Sequence, residues 1–164
     1  MISQDEPSLN EKKDNKKDNP DLVKNIRHIL QSQPFSVLCT QGDEQPYGSL
    51  VAFAYTNDLR HFFFTTQTAT RKYMLLTKCS NVSLLIDTRS NHPDDMKKIQ
   101  ALTITGSARE IKAGNQYQDG VKRLKERHPY MQDFLEAEST ALFRIDIKRY
   151  LHVTRFQEVS HWTP

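Results

Sequence analysis

The sequence predicts a mainly β (α+β) domain: six antiparallel strands in a small closed or split β-barrel, with helices at its periphery. Three observations lead there. Short runs rich in Phe, Ile, Leu, Val and Thr recur through residues 35–111 and again from Phe143. Some of their connections, such as Asn57-Asp58, are too short for anything but antiparallel neighbours. Strands outnumber helices without the regular alternation of a doubly wound sheet, and barrel closure leaves few open edges.

The elements follow in order. Residues 1–19 are almost devoid of apolar side chains, and such a segment buries too little to offset its ordering entropy. They are expected to form a disordered polar tail, followed by one domain over 20–164. Asn19 suits an N-cap, Pro20 the first helical position and Asp21 the positive end of the dipole. Leu22, Val23, Ile26, Ile29 and Leu30 make one apolar stripe, which Pro34 ends; His28 lies off it and is expected in solvent.

Strands are expected at 35–40, 47–56 and 61–66, with a turn through Gly42-Asp43-Glu44-Gln45-Pro46. A helix over 71–79 buries Tyr73, Met74, Leu75 and Leu76. Strand 82–87, apolar on both faces, leads into a polar loop at 88–98 and a strand at 101–111. Tyr117, Val121 and Leu124 mark a helix near 115–127, which Pro129 resets into a second piece ending near Ala137. Phe143, Ile145 and Ile147 alternate with polar neighbours in the last strand, an extended run continued to Phe156.

Composition narrows the function. The chain has 164 residues, one domain's worth, and no apolar run approaches the ~20 residues of a spanning helix. The first residues carry no apolar core of a secretory signal, so the cytoplasm is the expected compartment. The formal charge is +3, with the tail at −1 and the rest at +4, spread out rather than interleaved with aromatics. Nucleic acid is therefore not an expected partner. Cys39 and Cys79 match no metal spacing, and no two of the six histidines stand at i, i+4 on a helix, so no metal is expected.

One stretch carries chemistry. Phe62-Phe63-Phe64-Thr65-Thr66 runs through Gln67 to Thr70-Arg71-Lys72, a strand ending in hydroxyls and feeding a helix with two cations at its start. Cations there oppose the helix dipole by roughly 0.3–1 kcal/mol each, whereas a bound anion would reverse the sign. Thr65, Thr66 and Thr70 would supply hydroxyls and Arg71 a bidentate pair. The alternative is that Thr70 is an ordinary cap while Arg71 and Lys72 face water.

The segment 35–111 resembles the FMN-binding split barrel of the pyridoxamine 5′-phosphate oxidase-like superfamily. The resemblance is carried by Pro46-Tyr47-Gly48-Ser49-Leu50-Val51, Phe63-Phe64-Thr65-Thr66 with Thr70-Arg71-Lys72, Asn81-Val82-Ser83-Leu84-Leu85-Ile86, and Ala101-Leu102-Thr103-Ile104-Thr105-Gly106-Ser107-Ala108. It implies a homodimer with FMN between two barrels. Thr65 and Thr66 match the pair that holds the phosphate, and Thr70, Arg71 and Lys72 match its partners at the helix start. Ser49, Leu50 and Val51 match the strand passing the ribityl chain and ring. Gln100 falls within one position of a family glutamine that reaches the flavin from the other subunit.

The implied function is an FMN-dependent oxidoreductase exchanging electrons with a small-molecule donor or acceptor; the alternative is a non-catalytic flavin- or haem-binding carrier or sensor. The oxidase proper carries Arg-x-x-Leu-Leu-Lys where this chain has Ser49-Leu50-Val51-Ala52-Phe53-Ala54, and a C-terminal Arg-x-His that is missing here. Pyridoxamine phosphate is therefore not the expected substrate, and no acid–base residue is assigned. Some split barrels that the chain resembles bind haem through a histidine near the C-terminus, and His152 and His161 are C-terminal, although those proteins have a longer two-part architecture. Trp162 is expected to cover the flavin ring or to seal the core.

Overall fold

A single antiparallel sheet, ordered β2-β1-β5-β6-β7-β4-β3, forms the body of the protein, with β8 added alongside β7. The computed structural model describes residues 19–42, 44–154 and 158–164. The strands are β1 (Phe35–Gly42), β2 (Gln45–Ala52), β3 (Ala54–Tyr55), β4 (His61–Gln67), β5 (Asn81–Asp87), β6 (Ala101–Ile111), β7 (Thr140–Thr154) and β8 (Glu158–Trp162). The helices are α1 (Pro20–Ser32), α2 (Arg71–Lys78), α3 (Asn115–Arg127) and α4 (Gln132–Glu136). The expected tail up to residue 18, Asp43 of the first turn and Phe156 lie outside the described residues. The rest of that turn is tighter than expected, since Gly42 ends β1 and pairs with Gln45 at the start of β2.

The fold is the expected mainly β split barrel, but with eight strands rather than six. Phe53 interrupts the strand expected at 47–56, leaving β2 paired with β1 and the short β3 paired with β4. The chain also folds back after β7 to add β8. The sheet curls so that β2, at one end of the order, lies alongside β4, yet no ladder pairs the two. That unpaired seam is the split.

Ile26, Ile29 and Leu30 of α1 enter the main core with Leu38, Phe62, Phe64, Leu84, Leu102, Ile104 and Phe143. Asn19 caps α1 by accepting from the Leu22 N–H at 3.1 Å. The other end of α1 is capped from a distance: Arg127 donates to the carbonyls of Leu30 and, at 2.8 Å, of Gln33, while lying over the rings of Phe53 and Tyr55. A second cluster on the outer side of β4 and β7 joins Phe63 and Leu142 to Leu124 of α3 and Leu135 of α4. Gly120 permits that approach, since a Cβ there would lie 2.7 Å from the Phe63 ring. Trp162 seals the core: its ring packs 5.2 Å from that of Tyr150, whose hydroxyl donates to the Leu59 carbonyl at 2.6 Å. On α2, Leu75 and Leu76 are buried as expected, Tyr73 is half-buried, and Met74 faces solvent instead.

One irregularity governs the far half of the sheet. The β6–β7 register steps between Thr105, opposite Arg149, and Gly106, opposite Ile147, so that Lys148 is bulged out. A Cβ on Gly106 would lie 2.6 Å from the Asp146 carbonyl oxygen.

Candidate functional site

The turn between β4 and α2 sits at one end of the seam. Thr70 is the N-cap of α2, accepting from the Tyr73 N–H at 3.3 Å and donating to the Gln67 carbonyl at 2.8 Å. Thr66 joins it, the two hydroxyl oxygens being 2.9 Å apart. With the Tyr73 and Met74 N–H groups bonded to Thr70, the helix-start amides of Arg71 and Lys72 have no partner within the helix.

Thr65 stands apart. Successive strand residues point to opposite faces, and Thr66 pairs with Ala141 of the main core while Thr65 pairs with Leu142 of the outer cluster. Thr65 and Thr66 therefore do not offer both hydroxyls to one side. The Thr65 hydroxyl is buried without a hydrogen-bond partner.

The two cations differ. The Arg71 guanidinium lies 5.1 Å from the centre of the Tyr47 ring, a cation–π contact that bridges α2 to β2 across the seam. Lys72 is half-buried, and that burial pushes its ammonium below the usual lysine value. An anion beside it would offset the cost. Next to it, Tyr73 donates to Glu110 at 3.1 Å, a bond that raises the phenol.

Across the seam, Ser49 and Val51 face the barrel interior, since their partners on β1 are Leu38 and Ser36, while Leu50 faces outward and is 66% exposed. The Ser49 hydroxyl, like that of Thr65, is buried and unpartnered. The structure thus brings Ser49, Thr66, Thr70, Arg71 and Lys72 to one seam. A buried polar atom without a partner costs about 1–3 kcal/mol, and Ser49 is the group a ligand entering the seam would satisfy.

Gln100 lies elsewhere. It immediately precedes β6, whereas Thr65 is level, through Leu142, with Ile111 at the strand's other end. The separation is about 35 Å along the strand. The Gln100 carbonyl accepts from the Thr88 N–H and its own N–H donates to the Thr88 hydroxyl, while its side-chain oxygen accepts from His152 Nε2 at 2.8 Å. It lines an open cavity of ≈ 520 Å³ together with Asn25, His92, Lys97, Lys98, Thr154 and Glu158. No local signal in the sequence marks the bond to His152.

His161, on β8, is half-buried. Among the described residues no group of three or more His, Cys, Asp or Glu side chains converges as a metal site, and no helix is long and apolar enough to cross a membrane.

The chain belongs to the pyridoxamine 5′-phosphate oxidase family, which it matches over residues 22–154. Among solved structures it is similar to a haem-binding protein from Mycobacterium smegmatis, with a TM-score of 0.78 and 15% identity over 89% of this chain and 59% of that one. It is also similar to the haem storage protein HutZ from Vibrio cholerae (TM-score 0.68, 16% identity, 87% of this chain and 94% of that one). A FAD-binding protein from Mesorhizobium loti shares the fold as well (TM-score 0.65, 18% identity, 79% and 90%). The chain spans 59% of the length of the M. smegmatis protein, and identities this low establish the fold alone. No curated protein sequence matches it.

Proposed function

We propose that the chain is an FMN-binding flavoprotein, a homodimeric oxidoreductase whose seam between β2 and the start of α2 holds the cofactor's phosphate. The observation that carries the reading is the convergence there of the Thr66–Thr70 hydroxyl pair, two helix-start amides, a partly desolvated Lys72 and the orphaned Ser49 hydroxyl. These residues fit a phosphate ester whose carbon chain runs on along β2. Arg71 would bind the phosphate from the position it holds over Tyr47, and the phosphate's charge would offset the burial that disfavours the Lys72 ammonium. Ser49 and Val51 would line the chain from the barrel side. FMN, when bound, supplies the electron transfer itself; the protein anchors, orients and shields it. The second-strand Arg-x-x-Leu-Leu-Lys segment of the oxidase proper and the C-terminal Arg-x-His that grips its substrate are missing, so a different small molecule is the electron donor or acceptor.

The dimer reading is supported by the outer face of the sheet. Leu50, Val37, Leu85, Thr103, Leu151 and His161 stand opposite one another in a single row across β2, β1, β5, β6, β7 and β8. Leu50 is 66% and Leu85 37% exposed, and their neighbours in the row are only half-buried. A second copy of this chain is the occupant proposed for that row.

The test is a pair of titrations, FMN and riboflavin, against the wild type and Arg71→Ala. Loss of one charge-assisted bond costs about 1.5–3 kcal/mol, so FMN should weaken about ten- to a hundred-fold while riboflavin, lacking the phosphate, is unchanged. Equal losses for both ligands, or none for FMN, would return this turn to an ordinary helix cap. A second reading, a haem- or flavin-binding carrier without catalysis, draws on the printed functions of the M. smegmatis and V. cholerae proteins and on His161 at the C-terminal edge strand. The absorption spectrum of the purified protein separates the two, flavin bands against a Soret band. If flavin is bound, reduction by NADH or NADPH faster than that of free flavin marks the enzyme.

A further inference from the structure

The first turn of α2 is held from two sides. At about 100° per residue, Arg71 and Tyr73 stand about 200° apart around the helix axis. Arg71 leans on the Tyr47 ring of β2. Tyr73 lies edge-on to Phe143 of β7, with 5.8 Å between ring centres, and its hydroxyl donates to Glu110 of β6 at 3.1 Å. Glu110 stands directly opposite Phe143 in the β6–β7 ladder, so ring and hydroxyl are fixed on neighbouring strands. The same helical spacing puts Lys72 between Leu75 and Leu76, the two buried residues of α2, and Arg71 at the margin of the exposed arc. The roll of α2 about its axis therefore decides whether Lys72 stays turned toward the seam. A helix of eight residues is too short to be stable alone, so contacts outside it must fix that roll. Burial of Leu75 and Leu76 is non-directional, whereas the Tyr73–Glu110 bond has a direction. That bond also raises the phenol, which keeps Tyr73 a donor at neutral pH.

We propose that Glu110 is a positioning residue for the phosphate: through the Tyr73 hydroxyl it sets the roll of α2 that keeps Lys72 turned toward the seam. The inference rests on the FMN reading above and adds to it a residue that touches no ligand. The backbone N–H of Tyr73 bonds the Thr70 cap while its hydroxyl bonds Glu110, so the whole Tyr73 side chain separates the carboxylate from the turn. This spacing gives the proposal a sign. A carboxylate acting on the phosphate by charge would repel it and weaken FMN binding, whereas a carboxylate acting through Tyr73 strengthens it.

The experiment uses the full-length protein, titrated with FMN and with riboflavin, with a denaturant midpoint read for every variant. Tyr73→Phe keeps the ring against Phe143 and removes only the hydroxyl. It should weaken FMN about three- to tenfold and leave riboflavin, which has no phosphate, unchanged. Glu110→Ala, which removes the acceptor, should do the same. Glu110→Gln keeps a carbonyl oxygen for the phenol and should bind both ligands as the wild type does. In a Lys72→Met background Tyr73→Phe should add nothing further, because its effect passes through Lys72. If Glu110→Ala fails to fold, Tyr73→Phe decides. A bond that is merely structural would lower the denaturant midpoint and leave the ratio of FMN to riboflavin affinity where it was, and that result overturns the proposal. So do tighter FMN binding in Glu110→Gln, the mark of direct repulsion, and losses from Lys72→Met and Tyr73→Phe that simply add. A wild type that binds no flavin removes the FMN reading and this one together. A protein that loses FMN on Arg71→Ala but ignores Tyr73→Phe removes this one alone.

Discussion

The outer face of the sheet has two halves that solve the same problem differently. Over β4 and the first half of β7, Phe63 and Leu142 are covered within the chain by Leu124 of α3 and Leu135 of α4. Over β2, β1 and β5, Leu50 and Leu85 remain exposed. Both halves have apolar outward positions on strands, yet among the described residues only one is closed by the chain's own helices. The covered half contributes directly to the stability of the single chain, whereas the bare half contributes only when something else covers it.

The largest expected effect lies under α3. Leu124→Ala removes a fully buried side chain from the outer cluster and should destabilise the fold by about 2–5 kcal/mol, read as a lower denaturant midpoint. Gly120→Ala should cost less, about 1–3 kcal/mol, because the new methyl would sit 2.7 Å from Phe63 and 3.0 Å from Leu142. A negligible cost at both positions would mean that α3 is loosely held and that the contrast between the halves is false.

Acid should weaken the fold next. His128, at the end of α3, is buried and lies 2.9 Å from the Phe53 carbonyl, to which its Nε2–H donates. Burial lowers its affinity for protons, and the Arg127 charge adds to that, against the opposing pull of the carbonyl. The unfolded ring titrates near 6.5, so this stabilisation is complete above that pH and is lost as the pH falls from there through the lower folded value. The neutral, buried His152 acts in the same sense. Denaturant midpoints at pH 7.5 and 5.5 should fall in that order, and His128→Gln should reduce the difference.

The bare half should respond least in fold and most in assembly. Leu50→Glu combined with Leu85→Glu should leave the circular dichroism of the protomer unchanged and lower the mass seen by light scattering to that of a monomer. A wild type that is already monomeric at micromolar concentration would break the comparison from the other side.

Much of this was legible because its causes are local. Asn19-Pro20-Asp21 marks the start of α1, and the cap at Thr70 follows from a hydroxyl placed before Arg71-Lys72. The helical stripes of α1 and α3 recur at a period that needs no knowledge of their partners. Thr65 and Thr66 were read as one pair although strand parity alone sends them to opposite faces. Gln100 was pointed to by resemblance, but its bond to His152 joins positions 52 residues apart and has no local trace. Nor does the break at Phe53, whose carbonyl is held by His128 from the far side of the chain. The strand β8 was missed because only its pairing with β7 makes it a separate element.

The bulge at Lys148 gives β7 something like a reading frame. Before it, Phe143 and Ile145 face the interior; after it, the phase has changed and Tyr150 and His152 do so. The same strand can therefore build the covered core, send Leu151 to the bare outer row and still turn His152 inward to Gln100. Substitutions at Lys148 leave that phase intact. Deleting the residue would close the bulge into a regular ladder, with Arg149 directly following Ile147 and Tyr150 and His152 still facing inward. Straightening the strand with Lys148 kept would instead bring Arg149 and Leu151 inside and expel Tyr150 and His152. This position should tolerate almost any side chain, and its loss should leave the inward set of β7 unchanged.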